Sequence, residues 1–174
     1  ASNGTYTILG RANGTYSITP SMGGYTFRPE NRSVTINGAN VTGINFTADT
    51  QLTSGVGVSG SVTSQSWKYY SIIVPQYSTS LVVKLTGLSA NVDLYDTAPP
   101  VSPSGTDVAS HPTTSTFTGR SNNTGTTNET ITHSNPRSGT WSIGVYGYHA
   151  GSYTVTATVV GGGGPATLVQ GPIT

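Results

Sequence analysis

The feature that most constrains the fold of this chain is the recurrence of short runs in which Val, Ile, Tyr and Thr alternate with polar residues. Alternation with a period of two is typical of strands that bury one face. Gly, Asn and Pro separate the runs, as they do at turns. No long window carries the 3.6-residue period of an amphipathic helix. The sequence therefore predicts an all-β protein of antiparallel β-sandwich (Ig-like or jelly-roll-like) units.

The alternating runs divide into two sets. The first set predicts strands at 5–9, 15–19, 25–27, 33–36 and 44–48, and a linker follows at 49–54. The second set predicts strands at 66–74, 80–86, 92–95, 127–133, 139–148 and 152–160, with one short strand near 115–118 in a long Ser/Thr/Pro-rich stretch. The predicted organisation is an incomplete sandwich at 1–49, a complete one at 50–160, and a Gly-rich link with a terminal strand at 161–174.

The charge content excludes several classes of protein. Charged residues make up 7 % of the chain and the formal net charge is +1, against about 25 % charged residues in average globular domains. This charge is too small to bind nucleic acid through its phosphates. There is no cysteine, and hence no disulfide or thiolate metal site. No apolar run reaches the length of a membrane span, so we expect no membrane insertion.

The first 49 residues contain a series of related short motifs. They are Asn3-Gly-Thr-Tyr-Thr-Ile8, Ala12-Asn-Gly-Thr-Tyr-Ser-Ile-Thr-Pro20, Gly24-Tyr-Thr-Phe27 with Pro29, and Ser33-Val-Thr-Ile36 before Val41-Thr-Gly-Ile-Asn-Phe46. This series resembles the second half of a carboxypeptidase-regulatory-like (transthyretin-like) β-sandwich. That family normally opens with a further strand and a Gly/Pro-rich turn, which are missing here, so the resemblance implies an incomplete sandwich.

Residues 52–159 carry a second series. Its motifs are Leu52 with Gly55 and Val58-Ser-Gly60, Ser66-Trp-Lys-Tyr-Tyr70, Ile73-Val-Pro75, Leu81-Val-Val-Lys-Leu85, Asn91-Val-Asp-Leu-Tyr95 and Pro136-Arg-Ser-Gly-Thr-Trp-Ser-Ile-Gly-Val-Tyr-Gly-Tyr148. The series resembles the bacterial pre-peptidase C-terminal (PPC) domain, a β-sandwich appended to many secreted peptidases. The resemblance implies a non-catalytic role in adhesion, substrate binding or maturation. Some relatives bind calcium, but the acidic cluster expected before the first strand is absent, with only Asp49 nearby.

The residues give no sign of catalysis. There is no Gly-x-Ser-x-Gly elbow. No spacing links His111, His133 and His149 to one another, and histidines are common on protein surfaces. We therefore predict that the chain is not an enzyme. A small hydrolase with an unrecognised site is a further alternative.

The acidic residues offer one close pair, Asp93 and Asp96. Residues at i and i+3 of a strand face opposite sides, so the simplest interpretation is a strand end at which they cap backbone N–H groups. The alternative is a calcium site completed by Asp107, because hard cations prefer several oxygen ligands. No cofactor is otherwise predicted.

The aromatic residues in the predicted strands are Trp67, Tyr69, Trp141, Tyr146 and Tyr148. Their alternating positions favour core and cross-strand packing. The alternative, for those that face outward, is stacking against a carbohydrate.

Seven Asn-x-Ser/Thr sequences are candidate N-glycosylation acceptors in a glycosylating host. They begin at Asn3, Asn13, Asn31, Asn40, Asn45, Asn122 and Asn128.

The incomplete first sandwich suggests a mode of action. A missing strand leaves an open edge of unpaired N–H and C=O groups, which a strand from a neighbouring subunit can fill. We therefore predict an extracellular or cell-surface structural protein that associates with itself into a homopolymeric filament. The predicted donor strand is Thr167, Leu168, Val169 and Gln170, and the predicted accepting edge is Thr5, Tyr6, Thr7, Ile8 and Leu9. The alternative is a binding or adhesion appendage of a secreted peptidase or glycosidase, with a polysaccharide or cell-surface polymer as its partner.

Overall fold

The computed structural model describes residues 4–101 and 108–163. These residues form two compact units with a boundary between Ala48 and Asp49. Their regular secondary structure consists of strands alone, which confirms the predicted all-β class. None of the described residues belongs to a helix with the length and apolar character needed to cross a membrane.

The first unit contains β1 (Gly14–Ile18), β2 (Tyr25–Arg28) and β3 (Arg32–Ile36). β1 and β3 pair antiparallel, with Tyr16 opposite Val34. The hydroxyl groups of Thr15 and Thr35 lie 3.0 Å apart across this pair. Val34 is the buried apolar residue of the pair, so this unit has little core.

The predicted strand at 5–9 is wrong. Its Asn-Gly-Thr-Tyr motif nearly repeats at Asn13–Tyr16, where the chain forms β1. Of the two motifs, the one at β1 belongs to a sheet, because β3 lies beside it and pairs with it. The hydroxyl of Tyr6 donates instead to the carbonyl of Ile44 at 2.6 Å. Leu9 is 82 % exposed, which is unusual for a strand that buries one face.

The next strand, β4 (Thr47–Gln51), corrects two predictions at once. It starts three residues later than the predicted strand at 44–48, and it occupies the first part of the predicted linker at 49–54. The reason is a short parallel pairing with the following long strand, in which Thr50 lies beside Tyr70 and Gln51 beside Ser71.

The second unit is a sandwich of two sheets. Its further strands are β5 (Val58–Val62), β6 (Ser66–Val74), β7 (Ser78–Thr86), β8 (Val92–Thr97), β9 (Gly119–Ser121), β10 (Glu129–Ser134), β11 (Gly139–Gly147) and β12 (Gly151–Gly161). One sheet has the order β10-β7-β12-β5, and the other runs β4-β6-β11-β8-β9. Apart from β4 with β6, neighbouring strands in these two orders are antiparallel.

One apolar core fills the space between the two sheets. Alternate residues of each long strand point into it, as the pleat requires. Its main members are Tyr70, Ile72, Val74, Leu81, Val83, Leu85, Val92, Leu94, Ile131, Trp141, Ile143, Val145, Tyr153, Val155 and Ala157. The hydroxyl groups of Tyr70 and Tyr153 satisfy each other inside the core at 3.0 Å, and burial raises the pKa of Tyr153 well above its ordinary value.

Two elements of the second unit were missed or misplaced by the sequence prediction, and most of the others differ from it by one or two residues at an end. β5 was not predicted, because its Val-Ser-Gly-Ser-Val run is apolar only at its ends. Gly60 in its middle is required by packing, since a Cβ there would overlap the Tyr70 hydroxyl and lie 2.9 Å from the Tyr153 ring. The short strand expected near 115–118 lies instead at 119–121, as β9.

Neighbouring isoleucines of β6 test the sandwich. Ile72 is 3 % exposed and faces the core, whereas Ile73 is 52 % exposed on the other face. We expect Ile72→Ala to lower the free energy of unfolding by about 3 kcal/mol through a lost apolar contact and a cavity. Ile73→Ala, the matched control, should cost less than about 1 kcal/mol. Urea unfolding followed by tryptophan fluorescence measures both, and equal losses would contradict this assignment of the two faces.

Candidate binding surface

The outer face of the β4-β6-β11-β8-β9 sheet, which points away from the core, carries an unusual set of side chains. The register of β6 with β11 and of β11 with β8 aligns them in rows across the strands. The first row is Trp67, Tyr146 and Asp93. The second row is Tyr69, Gly144 and Tyr95, and Arg120 of β9 continues it at the edge.

The rings on this face form one group, which we call the aromatic cluster: Trp67, Tyr69, Tyr95, Phe117 and Tyr146. Trp67 is at its centre, with ring centroids 4.9 Å from Tyr146, 5.2 Å from Tyr95 and 5.6 Å from Tyr69. Phe117 packs edge-on against Tyr95 at 5.7 Å, and the Arg120 guanidinium lies 5.3 Å above the Phe117 ring. Contacts of this kind contribute beyond the burial of area alone.

Residues 108–118, which we call the strap, cross this face of the sheet. The Ala109 N–H donates to the carbonyl of Thr140 at 2.8 Å, and the Tyr69 hydroxyl donates to the carbonyl of Pro112 at 3.3 Å. At its end, the Thr118 N–H donates to the carbonyl of Asp96 at 2.7 Å. The strap therefore covers part of the outer face.

His111 fixes the middle of the strap. Its Nε2 lies 2.7 Å from an oxygen of the buried Asp49 carboxylate, and its ring stacks on Tyr69 with centroids 3.7 Å apart and planes 4° from parallel. Burial, with a smaller effect from the Asp49 charge, raises the pKa of Tyr69. Sequence reasoning missed this contact because His111 and Asp49 are far apart in the chain.

Four buried carboxylates occur among the described residues of the second unit: Asp49, Asp93, Asp96 and Glu129. Asp49 contacts His111, and Asp96 contacts Nε2 of His133 at 2.7 Å. Glu129 accepts hydrogen bonds from Ser121 and Asn123, although burial still raises its pKa. Within the part of the chain that the structure describes, no hydrogen bond reaches the Asp93 carboxylate, and burial raises its pKa.

The two histidine–aspartate contacts resemble the base and orienting acid of a catalytic triad. A nucleophile would have to lie within hydrogen-bond reach of the ring. Among the described residues, no hydroxyl group hydrogen-bonds to His111 or His133. His149 lies at the exposed turn between β11 and β12, where its ring packs against Tyr148.

The aromatic residues predicted from sequence divide between the two faces. Trp67, Tyr69 and Tyr146 face outward, whereas Trp141 lies in the core with its indole N–H donating to the carbonyl of Arg137 at 2.8 Å. Tyr148 is exposed beyond the end of β11. Sequence reasoning missed Tyr95 and Phe117, although the alternation of β8 places Tyr95 on the same face as Asp93.

The predicted calcium ligands do not come together in the described structure. Asp93 lies on the outer face of β8, whereas Asp96 points inward to His133, so one cation cannot bind both. Asp107 lies outside the described residues. Among the residues that are described, no group of three or more His, Asp or Glu side chains is arranged to hold a metal ion.

The predicted assembly residues remain untested. The donor strand Thr167, Leu168, Val169 and Gln170 lies outside the described residues, and the accepting segment at 5–9 is not a strand. Assembly into a filament stays a prediction. The glycosylation candidates also stay predictions: Asn3 lies outside the described residues, and the side chains of Asn13, Asn31, Asn40, Asn45, Asn122 and Asn128 are exposed.

Residues 67–147 match the sequence model of a family described as the bacterial pre-peptidase C-terminal domain. The matched segment runs from β6 to the end of β11 and includes all five residues of the aromatic cluster. The match supports a PPC domain within the second unit, as predicted. The transthyretin-like resemblance of residues 1–49 stays a prediction.

Similar solved structures include PliG, a periplasmic inhibitor of g-type lysozyme from Aeromonas hydrophila, which is 19 % identical with a TM-score of 0.42 over 60 % of this chain and 84 % of that one. A pre-peptidase C-terminal domain of a collagenase from Bacillus anthracis is 10 % identical, with a TM-score of 0.44 over 62 % of this chain and 92 % of that one. No curated protein matches the sequence.

Gly144 allows the strap and the aromatic cluster to meet. A Cβ at this position would lie 2.7 Å from Cγ of Pro112 and 2.8 Å from Cζ3 of Trp67. We expect Gly144→Ala to lower the free energy of unfolding by about 1–3 kcal/mol through overpacking, and to weaken the near-ultraviolet circular dichroism of the cluster.

Gly163→Ala is the matched control for this substitution, because nothing lies within 4 Å of its Cβ position. It should change the free energy of unfolding by less than about 0.5 kcal/mol. If Gly144→Ala behaved like this control in thermal or urea unfolding, the packing of the strap over β11 would be wrong.

Proposed function

We propose that the second unit is a non-catalytic binding module of a secreted protein, and that it contacts an extracellular polymer through the aromatic cluster. The observation that carries this proposal is the place of Trp67, Tyr69 and Tyr146. They are half-buried on the sheet face that points away from the core, where the sandwich does not need large rings. Aromatic side chains grouped on a surface are typical of recognition sites.

The family match supports the same proposal. Residues 67–147 resemble a domain named for its position at the C-terminal end of peptidase precursors. The proposal assigns this domain a role in binding rather than in catalysis. The resemblance also favours a location outside the cytoplasm, extracellular or periplasmic, and the cysteine-free, weakly charged composition is compatible with it.

The contacts that the histidines make support a non-catalytic role. The contact of His111 with Asp49 holds the strap against Tyr69, and the contact of His133 with Asp96 joins β10 to β8. Each histidine–aspartate contact thus has a structural explanation, and neither needs a substrate to account for it.

A sedimentation assay tests this proposal. The whole chain is mixed with insoluble polymers of different chemistry: cellulose, chitin, bacterial cell-wall sacculi and fibrillar collagen. We expect at least one polymer to bind the chain, and Trp67→Ala to lower the bound fraction at least tenfold by removing the central ring of the cluster.

Tyr148→Ala is the matched control, because Tyr148 is a 52 % exposed aromatic residue of the same chain segment outside the cluster. It should leave binding unchanged. Thermal unfolding of each variant verifies that it is folded. Failure to bind any polymer, or full binding by a folded Trp67→Ala variant, would refute the proposal.

A further inference from the structure

We infer that Trp67, Tyr146 and Asp93 form a subsite for one sugar ring of a neutral polysaccharide. This inference rests on the proposed binding function and deepens it, because it names the chemistry of the polymer. The three residues are direct cross-strand neighbours in the first row of the outer face.

Asp93 is the feature that points to a ligand. The residue is 7 % exposed, but its carboxylate oxygens are not among the fully buried polar atoms and therefore keep access to the surface. A carboxylate in such a largely apolar surrounding gains from an additional hydrogen-bond donor. The three other buried carboxylates described in this unit each have a side-chain partner on at least one oxygen, whereas Asp93 has none among the described residues. Asp96 Oδ1 and Glu129 Oε1 also lack a partner within the described structure, but these two oxygens are fully buried and a ligand cannot reach them. An accessible acceptor that has no protein partner and lies beside aromatic rings is typical of a site that completes its hydrogen bonds with a ligand.

The hydrogen bonds of the strap are directed away from the first row. The hydrogen bonds that the strap makes to other described segments include those to Thr140, Tyr69, Asp49, Asp96 and Ala98. None of them reaches the first row, and Trp67 and Tyr146 remain partly exposed. The strap therefore covers the second row and, within the described residues, touches the first row only where Pro112 lies beside Trp67.

The hydroxyl of Tyr146 adds a second polar group to the subsite. It donates to Oε1 of Gln65 at 2.6 Å, while Nε2 of Gln65 donates to the carbonyl of Tyr148 at 3.2 Å. The Tyr146 oxygen keeps its acceptor capacity, because its only hydrogen is used in the bond to Gln65. The subsite thus presents two acceptors beside aromatic surface, and a sugar ring supplies hydroxyl donors with an apolar C–H face.

The same geometry disfavours charged ligands. The rings around Trp67 have centroids 4.9 to 5.6 Å apart, which leaves no enclosed space between them for a desolvated ammonium group such as an aromatic cage holds. A polyanion would be repelled by Asp93. A flat, neutral ligand that donates hydroxyl hydrogen bonds needs no enclosed space between the rings, and Asp93 does not repel it.

Titration calorimetry tests the subsite with soluble neutral hexasaccharides of glucose, mannose and N-acetylglucosamine. We expect at least one to bind the whole chain. Asp93→Leu should weaken that binding about tenfold or more, the effect of losing a hydrogen bond to a charged acceptor. Glu30→Gln, which changes an exposed carboxyl of the first unit, should leave the affinity unchanged.

Stability gives a readout that a purely structural role would not produce. Removing an unpartnered buried carboxylate should maintain or raise the midpoint of thermal unfolding, so Asp93→Leu should be at least as stable as the original chain while binding less sugar. A large loss of stability, or unchanged sugar binding, would overturn the assignment of Asp93.

The outcomes separate this inference from the proposed function. If collagen or another protein polymer binds through Trp67 while no hexasaccharide binds, the sugar subsite is wrong and the binding module stands. If a cationic peptide, oligolysine, binds in an Asp93-dependent way and the sugars do not, the subsite takes cations and the inference is again wrong. If neither polymers nor sugars bind, both proposals fail.

Discussion

The antiparallel register of β6 with β11 is the constraint on which the rest of the second unit depends. It places Tyr70, Ile72 and Val74 beside Ile143, Trp141 and Gly139. All of these residues except Gly139 have side chains in the core. The same register necessarily places Trp67 beside Tyr146 and Tyr69 beside Gly144 on the other face. Because the pleat alternates, a slip of one residue would exchange the two faces and destroy both the core and the aromatic cluster.

The outer face is organised as a second, smaller packing layer. The strap closes part of it through the carbonyl of Thr140, the hydroxyl of Tyr69 and the stacked His111–Asp49 contact. Gly144 provides the space in which Pro112 and Trp67 approach β11. One end of the layer is thus covered and rigid, and the other end presents Trp67, Tyr146 and Asp93 at its border. A rigid scaffold that presents a few partly exposed rings needs little reordering on binding.

The sequence predicted the second unit well where strands are long and strongly alternating. The range 66–74 agrees with β6, and the prediction at 139–148 exceeds β11 by one residue. It failed where alternation is hidden or tertiary pairing decides. The glycine in β5 conceals that strand, and the parallel pairing with β6 makes a strand of residues in the predicted linker. Of the candidate site, the alternation placed Trp67 and Tyr69 on one face, but the contribution of Phe117 and the pairing of His111 with Asp49 depend on the path of the strap.

The two tryptophans permit the most direct test of the central claim, that binding occurs on the outer face. Trp67 lies in the aromatic cluster, and Trp141 is buried in the core with its indole N–H bonded to the Arg137 carbonyl. Because the chain contains two tryptophans, a proton–nitrogen correlation spectrum shows two indole signals, and Trp67→Phe assigns them. During titration with soluble fragments of the bound polymer, the account predicts that the Trp67 indole signal moves while that of Trp141 stays in place. A saturable titration that leaves the Trp67 signal unchanged would contradict it.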